Sequence, residues 1–229
     1  MFEVTPIPAF QDNYIWLIKS PENQKVAVVD PGDAAPVEAY LQAHNLTLAA
    51  ILITHHHPDH TGGVADLTEQ RNIPVYGPAN SPFKGISRSL ADGESIQLFG
   101  NSLEIKATPA HTLDHICYFK PGTLPQLFCG DTLFLAGCGR LFEGTAEQML
   151  DAMHYFQALP EQTEVYCTHE YSLANLQFAA AVEPHNKAIS TITEQCQALR
   201  HNNQPTLPSH LITEPVSYTH LRAHETSLH

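Results

Sequence analysis

The stretch that decides the fold of this chain is Thr54-His55-His56-His57-Pro58-Asp59-His60-Thr61-Gly62-Gly63. Five of its ten residues have side chains that bind metal ions. Residues 48–53, directly before it, form a short apolar run without polar alternation, which is typical of a buried β-strand. The stretch is therefore predicted to be a loop at the carboxyl end of a buried strand, where a rigid backbone directs side chains into a cleft.

The spacing of the side chains in this loop indicates metal chemistry. His55 and His57 are two residues apart, so in an extended segment they point the same way and can bind one ion. Asp59 and His60 follow and can reach a second ion. Imidazoles combined with a carboxylate favour zinc, iron or manganese over calcium or magnesium. His56 points the opposite way and is expected to support its neighbours.

An alternative explanation of the histidine run, without a metal site, is a solvated polar loop or a purification tag. A tag lies at a terminus and lacks aspartate, whereas this histidine run follows a predicted buried strand. The position of the run therefore favours the metal site.

Composition predicts a globular protein with one main core. The 229 residues suffice for one domain with a small appendage, and 43% hydrophobic with 15% charged residues is an ordinary globular composition. Neither a transmembrane run nor a signal peptide is evident. The five cysteines are odd in number and form no Cys-x-x-Cys pair, which is typical of reduced thiols. We expect a cytoplasmic monomer.

The charge of the chain limits its partners. A formal net charge of −13 disfavours binding to nucleic acid or to anionic membranes. It does not exclude an anionic small-molecule substrate, because bound divalent ions dominate the local field.

Three further predicted strands also end in a residue of metal-binding type. Each of these residues alone is weak evidence for a metal site, because an aspartate after a strand, for instance, often caps a turn. Together with the histidine loop they predict a cluster at one edge of the fold. The three residues are His111 after residues 103–107, Asp131 after residues 127–129, and His169 after residues 165–168.

The remaining chain is predicted to supply scaffolding. Asp33 is expected to cap a helix over residues 36–44, and Thr145 with Gln148 forms a capping box for a helix over residues 146–159. Gly100-Asn101 predicts a hairpin turn, and residues 80–95 are expected to form a surface loop. Residues 1–20 are expected to form edge strands around a turn.

The sequence divides into three parts by composition. Residues 1–171 are predicted to form the metal-binding domain. Residues 172–209 contain two helical patterns without an intervening strand and are predicted to form a small helical appendage. Residues 210–229 form an atypical tail, and residues 216–229 lack apolar periodicity.

With these motifs in place, the chain resembles the glyoxalase II family, the hydroxyacylglutathione hydrolases of the metallo-β-lactamase superfamily. The superfamily motif His-x-His-x-Asp-His is met in full by residues 55–60. More specific matches are Gly130-Asp131-Thr132-Leu133-Phe134, Gly137-Cys138-Gly139-Arg140-Leu141-Phe142-Glu143-Gly144-Thr145 and Thr168-His169-Glu170-Tyr171. The resemblance covers roughly residues 1–209, and it implies that residues 172–209 form part of a C-terminal helical substrate-binding domain.

The resemblance implies an α+β fold, a four-layer αβ/βα sandwich with two metal ions at one edge. It implies that His55, His57 and His111 hold the first ion, that Asp59, His60 and His169 hold the second, and that Asp131 bridges both. Zinc is the expected metal, with iron or manganese as alternatives.

The resemblance also implies a reaction. A glutathione thioester such as S-D-lactoylglutathione is expected to be hydrolysed to glutathione and a 2-hydroxy acid, in the second step of methylglyoxal detoxification. Asp59 and Asp131 are the expected catalytic carboxylates, and Arg140, Phe142 and Tyr171 the expected contacts to glutathione. Two alternatives remain open: a mononuclear-iron persulfide dioxygenase and an inactive metal-binding remnant.

The sequence departs from the family pattern in three places, and each departure predicts a local difference in structure or binding. Ala110 and Asp114 stand where the family usually has glycines, which questions the geometry around His111. Phe142 stands where some members have tyrosine, which removes one hydroxyl group. The family's basic carboxy-terminal segment, which contacts the glycine carboxylate of glutathione, has no match after Ser209, so weaker glutathione binding is expected.

Overall fold

The computed structural model describes residues 1–214, and the remainder of the predicted tail lies outside the described residues. Within residues 1–214 the chain forms fourteen strands, six α-helices and one 3₁₀ turn. The strands are β1 Glu3–Ala9, β2 Asn13–Lys19, β3 Lys25–Val29, β4 Thr47–Leu52, β5 Val75–Pro78, β6 Arg88–Leu90, β7 Ser95–Leu98, β8 Asn101–Ala107, β9 Ile116–Lys120, β10 Gln126–Gly130, β11 Leu133–Phe134, β12 Gly137–Cys138, β13 Glu164–Cys167 and β14 Ser209–His210. The helices are α1 Ala34–His44, α2 Pro58–Thr61, α3 Val64–Thr68, α4 Ala146–Gln157, α5 Ser172–Val182 and α6 Lys187–His201, followed by the 3₁₀ turn Leu211–Thr213.

Two six-stranded mixed sheets carry the fold. The first has the order β1-β2-β3-β4-β5-β6, antiparallel up to β3 and parallel from there. The second has the order β14-β13-β10-β9-β8-β7, with β10 and β13 parallel. A short ribbon of β11 and β12 completes the strands. Strands β3, β4 and β5 therefore deliver their carboxyl ends to one edge of the first sheet, and β10 and β13 do so in the second.

Strands β2, β3 and β4 of the first sheet are buried on both faces, which explains why they are apolar without alternation. Along β2, Trp16 and Ile18 belong to the core shared with the second sheet, whereas Ile15 and Leu17 belong to a separate core. That separate core also contains Val37 of α1. Successive side chains of β2 therefore alternate between two buried faces, and not between a buried and a solvent-exposed face.

Helices cover the outer faces of both sheets. Helices α1 and α3 pack on the first sheet through Leu41 and Leu67, among others. Helix α4 packs on the second sheet through Met149, Met153 and Phe156, as its periodicity predicts. The order helix, sheet, sheet, helix confirms the predicted α+β four-layer sandwich.

Local predictions for the helices hold to within a few residues. Asp33 accepts a hydrogen bond from the Ala35 amide at the start of α1, which begins two residues earlier than predicted. Thr145 and Gln148 form the predicted capping box of α4.

Three local predictions for strands were wrong. Residues 80–95 are not a loop throughout, since β6 pairs with β5 along residues 88–90. The hairpin turn consists of Phe99 and Gly100, both with positive φ, because Asn101 already pairs with Leu98. Strand β2 is an inner strand between β1 and β3, not an edge strand.

The carboxy-terminal part of the described chain packs on the second sheet. Helices α5 and α6 pair with each other, and α5 contacts β12. Strand β14 pairs with β13 along Ser209 and His210. Glu214 is fully buried and accepts hydrogen bonds from Ser209 Oγ and the Ala136 amide. The domain boundaries stay predictions, and residues 210–214 of the predicted tail are part of the packed structure.

Candidate metal centre

Four loops that follow strands meet at one edge of the two sheets. They come after β4, β8, β10 and β13, and each contributes at least one residue from the predicted ligand set. In a first group, His55, His57 and His111, and in a second group, Asp59, His60 and His169, the potential ligand atoms lie within 4.8 Å of one another. The same holds for His55, His60 and Asp131, which connect the two groups. All seven predicted ligands are therefore brought together.

The first group consists of three imidazoles. Nδ1 of His57 lies 3.1 Å from Nε2 of His55 and 3.1 Å from Nε2 of His111. Nitrogens that bind one zinc ion tetrahedrally at 2.0–2.1 Å lie about 3.3 Å apart. The spacing of these three atoms suits a single ion.

The second group surrounds Asp59, whose Oδ2 lies 3.4 Å from His60 Nε2 and 3.5 Å from His169 Nε2. Asp131 lies between the two groups. Its Oδ2 is 3.1 Å from His169 Nε2 and 3.5 Å from His111 Nε2, and its Oδ1 is 3.5 Å from His60 Nε2. One carboxylate therefore faces nitrogens of both groups.

In four of the five imidazoles an oxygen atom lies within 3.1 Å of Nδ1, and Nε2 faces the centre. Thr54 Oγ1 lies 3.0 Å from Nδ1 of His55, and the Arg140 carbonyl lies 2.8 Å from Nδ1 of His111. Asp30 Oδ2 lies 3.1 Å from Nδ1 of His60, and Asp12 Oδ1 lies 2.9 Å from Nδ1 of His169. A partner on Nδ1 fixes both the tautomer and the orientation of a metal-binding imidazole.

The charges of the cluster respond to burial and to one another. Burial lowers the pKa of His55, and the neighbouring His60 lowers it further. Burial opposes ionisation of Asp131, but His60 and His169 outweigh it and hold the pKa of Asp131 well below its usual range. Burial also opposes the charge on His60, but Asp131 and Asp30 outweigh it and raise the pKa of His60. The cluster thus favours a positive charge at its centre.

Two buried atoms without a partner indicate that a divalent ion could supply the positive charge that the cluster favours. Neither Nε2 of His60 nor Oδ1 of Asp131 has a hydrogen-bonding partner, and both are shielded from solvent. Burying such atoms without a partner is costly. A cation between them would satisfy both, so the residues fit divalent metal ions.

Glycines let the loop of residues 137–145 approach the cluster closely. A Cβ on Gly139 would lie 1.8 Å from the Asp131 carbonyl oxygen, and one on Gly144 would lie 2.5 Å from Cα of Ala110. The Phe142 amide donates to the His111 carbonyl at 3.3 Å. The loop is therefore fixed against the segments that carry His111 and Asp131.

A cavity of about 370 Å³ opens over the cluster. The predicted substrate residues Arg140, Phe142 and Tyr171 line it together with Phe134. The guanidinium of Arg140 lies 5.2 Å from the centroid of the Phe142 ring, and the Tyr171 ring stacks on His169 at 4.7 Å. Burial and the charges of Asp12 and Asp131 raise the pKa of Tyr171 to about 12, so its hydroxyl remains a donor.

His56 lies outside the ligand groups, as its spacing predicts. Its Nδ1 lies 2.8 Å from Asp114 Oδ1, which also accepts a hydrogen bond from Thr112. Asp114, one of the departures from the family pattern, is thus held in a defined contact beside the segment of His111. His115 is buried and accepts a hydrogen bond from the Asp131 amide at 3.1 Å.

Sequence reasoning missed four residues of the site. Asp12 and Asn13 lie in the predicted turn of residues 1–20 and were given no role in the site, Asp30 was given none, and Phe134 was quoted only within a motif. Asp30 follows a buried strand, just as the predicted ligands do, and that signal was available. The contacts of Asp12 and Asn13 had no signal in the local sequence, because they join residues far apart in the chain.

The fold and the cluster together define a class of protein, and comparison with known families agrees. The model of the metallo-β-lactamase superfamily matches residues 10–169, and the model of the hydroxyacylglutathione hydrolase C-terminus matches residues 170–229. Solved structures with the same fold include the B3 metallo-β-lactamase BLEG-1, which is 27% identical with a TM-score of 0.63 over 74% of this chain and 91% of that chain. They also include TTHA1623 in a di-iron-bound form, which is 28% identical with a TM-score of 0.62 over 72% of this chain and 92% of that chain. The chain is a member of the metallo-β-lactamase superfamily.

Relatives of known name narrow the class. The hydroxyacylglutathione hydrolase of Pseudoalteromonas translucida is 56% identical over 91% of this chain and 80% of its own length. That of Pseudomonas aeruginosa is 50% identical over 100% of this chain and 89% of its own length. Within the superfamily, the chain belongs to the hydroxyacylglutathione hydrolase family, as the sequence motifs predict.

Proposed function

We propose that this chain hydrolyses S-(2-hydroxyacyl)glutathione thioesters to glutathione and a 2-hydroxy acid, with two divalent metal ions in the cluster. S-D-lactoylglutathione, the intermediate of methylglyoxal detoxification, is the proposed substrate. The observation that carries the proposal is the Asp131 carboxylate, which faces imidazoles of both ligand groups beneath an open cavity. The names of these two relatives support hydrolase activity over the two alternatives.

The ligand roles follow the two groups. We assign His55, His57 and His111 to the first ion, Asp59, His60 and His169 to the second, and Asp131 to both. Divalent ions bound in this way lower the pKa of a water molecule towards neutrality and polarise a carbonyl group. Zinc is proposed because imidazole and carboxylate ligands suit it, with iron or manganese as alternatives.

The residues of the chain orient the reacting groups. Asp59 lines the cavity and accepts a hydrogen bond from Asn13, and we propose that its carboxylate orients the attacking water. The water gives up one proton to solvent, and its oxygen forms a bond to the thioester carbonyl carbon while the π electrons of the carbonyl group move to its oxygen. The carbon–sulfur bond then breaks, and glutathione leaves as a thiolate. Because a thiolate is a good leaving group, the site needs little help from a protonating acid, and it needs no serine or cysteine nucleophile.

Three residues on the wall of the cavity are proposed to bind the glutathione part. Arg140 supplies a positive charge for a carboxylate of the substrate. The protonated hydroxyl of Tyr171 supplies a hydrogen-bond donor, and the Phe142 ring an apolar surface without a hydroxyl group. The proposed partner is therefore a small molecule that enters from the open side of the cavity.

Two predictions about the protein as a whole stay predictions: that it is a monomer and that it works in the cytoplasm. None of the helices that the structure describes has the length and apolar character to cross a bilayer. None of the cysteines within residues 1–214 is joined to another by a disulfide bond.

A direct assay tests the proposal. The chain is supplied with zinc and S-D-lactoylglutathione, and release of glutathione is followed. Hydrolysis that stops on chelation and returns with zinc is expected. Oxygen uptake with one iron per chain would indicate the persulfide dioxygenase, and absence of turnover in a metal-loaded chain would indicate the inactive remnant.

A further inference from the structure

The turn between β1 and β2 reaches from the edge of the first sheet to the metal cluster. Strand β1 ends at Ala9, which pairs with Asn13 at the start of β2. Phe10 adopts a positive φ of 51°, which reverses the chain. The next residues, Asp12 and Asn13, are thereby directed at the loops that follow β4 and β13.

Both residues contact ligands of the second group. Asp12 Oδ1 lies 2.9 Å from Nδ1 of His169. Asn13 Nδ2 donates to Oδ2 of Asp59 at 3.1 Å, and Asn13 is 5% exposed. One short turn therefore contacts two of the three ligands that the second ion does not share with the first.

The backbone of the turn is fixed to the segment of His169. The Tyr14 amide donates to the Thr168 carbonyl at 2.7 Å, and the Glu170 amide donates to the Asp12 carbonyl at 2.8 Å. These two hydrogen bonds lie on either side of His169. The side-chain contact of Asp12 thus rests on a rigid backbone and is not a chance surface ion pair.

The first group is held by different elements. The Nδ1 atoms of His55 and His111 face Thr54 Oγ1 and the Arg140 carbonyl, neither of which belongs to the turn. None of the hydrogen bonds or ion pairs described for Asp12 and Asn13 joins the turn to His55, His57 or His111. The supports of the two groups are therefore structurally separable.

We infer that Asp12 and Asn13 are positioning residues that set the affinity of the second metal site independently of the first. The inference rests on the proposed binuclear centre. Asp12 holds His169 with Nε2 towards the ion, and Asn13 holds the Asp59 carboxylate in a ligating orientation. Loss of such an outer contact commonly weakens metal binding about 10- to 100-fold. The chain without these contacts is expected to bind its first ion unchanged and its second ion more weakly.

The test is a zinc titration of the metal-free chain against a chromophoric chelator. The variants are Asp12→Ala, Asn13→Ala and Asp12→Asn, and the matched control is Gln11→Ala, an exposed neighbour in the same turn. In the unaltered chain two zinc ions are expected to bind. Asp12→Ala and Asn13→Ala should each weaken one binding event about 10- to 100-fold and leave the other unchanged. The zinc affinity of Asp12→Asn in that event should lie between those of the alanine variants and that of the unaltered chain, because an amide oxygen still accepts a hydrogen bond from Nδ1 of His169.

The outcomes separate this inference from the proposed function. Two unchanged binding events in both alanine variants, or equal weakening of both events, would overturn the inference and leave the binuclear hydrolase intact. A single binding event in the unaltered chain would overturn the binuclear centre and the inference with it. If circular dichroism shows that Asp12→Ala does not fold, Asn13→Ala and Asp12→Asn decide by the same criterion.

Discussion

Oδ2 of Asp131 lies 3.1 Å from Nε2 of His169. Asp131 follows β10 and His169 follows β13, and these two strands are adjacent and parallel. The same oxygen is 3.5 Å from Nε2 of His111, which comes from a different loop. A single carboxylate thus joins two groups of imidazoles that the sequence supplies separately. This relationship is the basis of the first prediction.

Asp131→Ala is expected to lower zinc occupancy of both sites and to remove most of the activity. The change removes the only carboxylate that faces both ligand groups among the described residues. Zinc content after dialysis and the rate of thioester hydrolysis measure the effect. A variant that retained two tightly bound ions would contradict the bridging role.

Metal affinity and activity are expected to fall together as the pH is lowered. Burial opposes the charge on His169, but Asp131 outweighs it and raises the pKa of His169 above its ordinary value, and the pKa of His60 is raised further. In the metal-free chain these imidazoles take up protons as the pH falls, and an ion must displace those protons to bind. A pH–rate profile that stayed flat from neutrality to about pH 5, well below the reference histidine pKa of about 6.5, would refute this prediction.

Arg140→Ala is expected to raise KM with a smaller effect on kcat. One charge-assisted hydrogen bond is worth about 1.5–3 kcal/mol, so its loss should weaken glutathione binding roughly 10- to 100-fold. An interaction with a remote part of the substrate contributes equally to ground state and transition state, which is the pattern of a KM effect. Arg88→Ala, an exposed arginine on β6, is the matched control. Equal KM values for the Arg140 and Arg88 variants would remove Arg140 from the substrate site.

Glu214 is expected to make the folded chain more stable in mild acid than at neutral pH. Burial raises the pKa of its carboxyl from an ordinary 4.5 to about 7, so the folded state holds a proton that the unfolded state releases. The free energy of unfolding should therefore decrease from about pH 4.5 to about pH 7 and then level off, by roughly 3 kcal/mol at most. Denaturant unfolding of the chain and of Glu214→Gln, both metal-free, isolates this slope. The glutamine variant should lack it, and identical slopes would show that Glu214 is not the source.

The sequence predicted that the candidate ligands meet, because the loops that carry them follow short apolar runs whose burial is unambiguous. His55, His111, Asp131 and His169 lie on loops after β4, β8, β10 and β13, and the sheet edge brings these loops together. The layer order was implied by the family resemblance, and it agrees with strands that are buried on both faces and so have helices outside them. Prediction of the ligand groups rested on the family motif, which fixes the order of the residues.

What the sequence did not reveal depends on contacts between distant segments. Asp12 and Asn13 look like ordinary turn residues, and only the pairing of β1, β2 and the loop after β13 brings them to His169 and Asp59. Strand β6 was missed because two of its three residues are exposed and polar, so no apolar run marks it. The register of the β7–β8 hairpin shifted by one residue because Phe99 adopts a positive φ, which its residue type does not suggest.

Zinc content and turnover of S-D-lactoylglutathione, measured on the same sample, test the binuclear hydrolase most directly. The chain is stripped with a chelator and then titrated with zinc, and the rate of glutathione release is recorded at each step. The account predicts two zinc ions per chain, no turnover in the stripped chain and full turnover on return of zinc. Full turnover by the metal-free chain would contradict it.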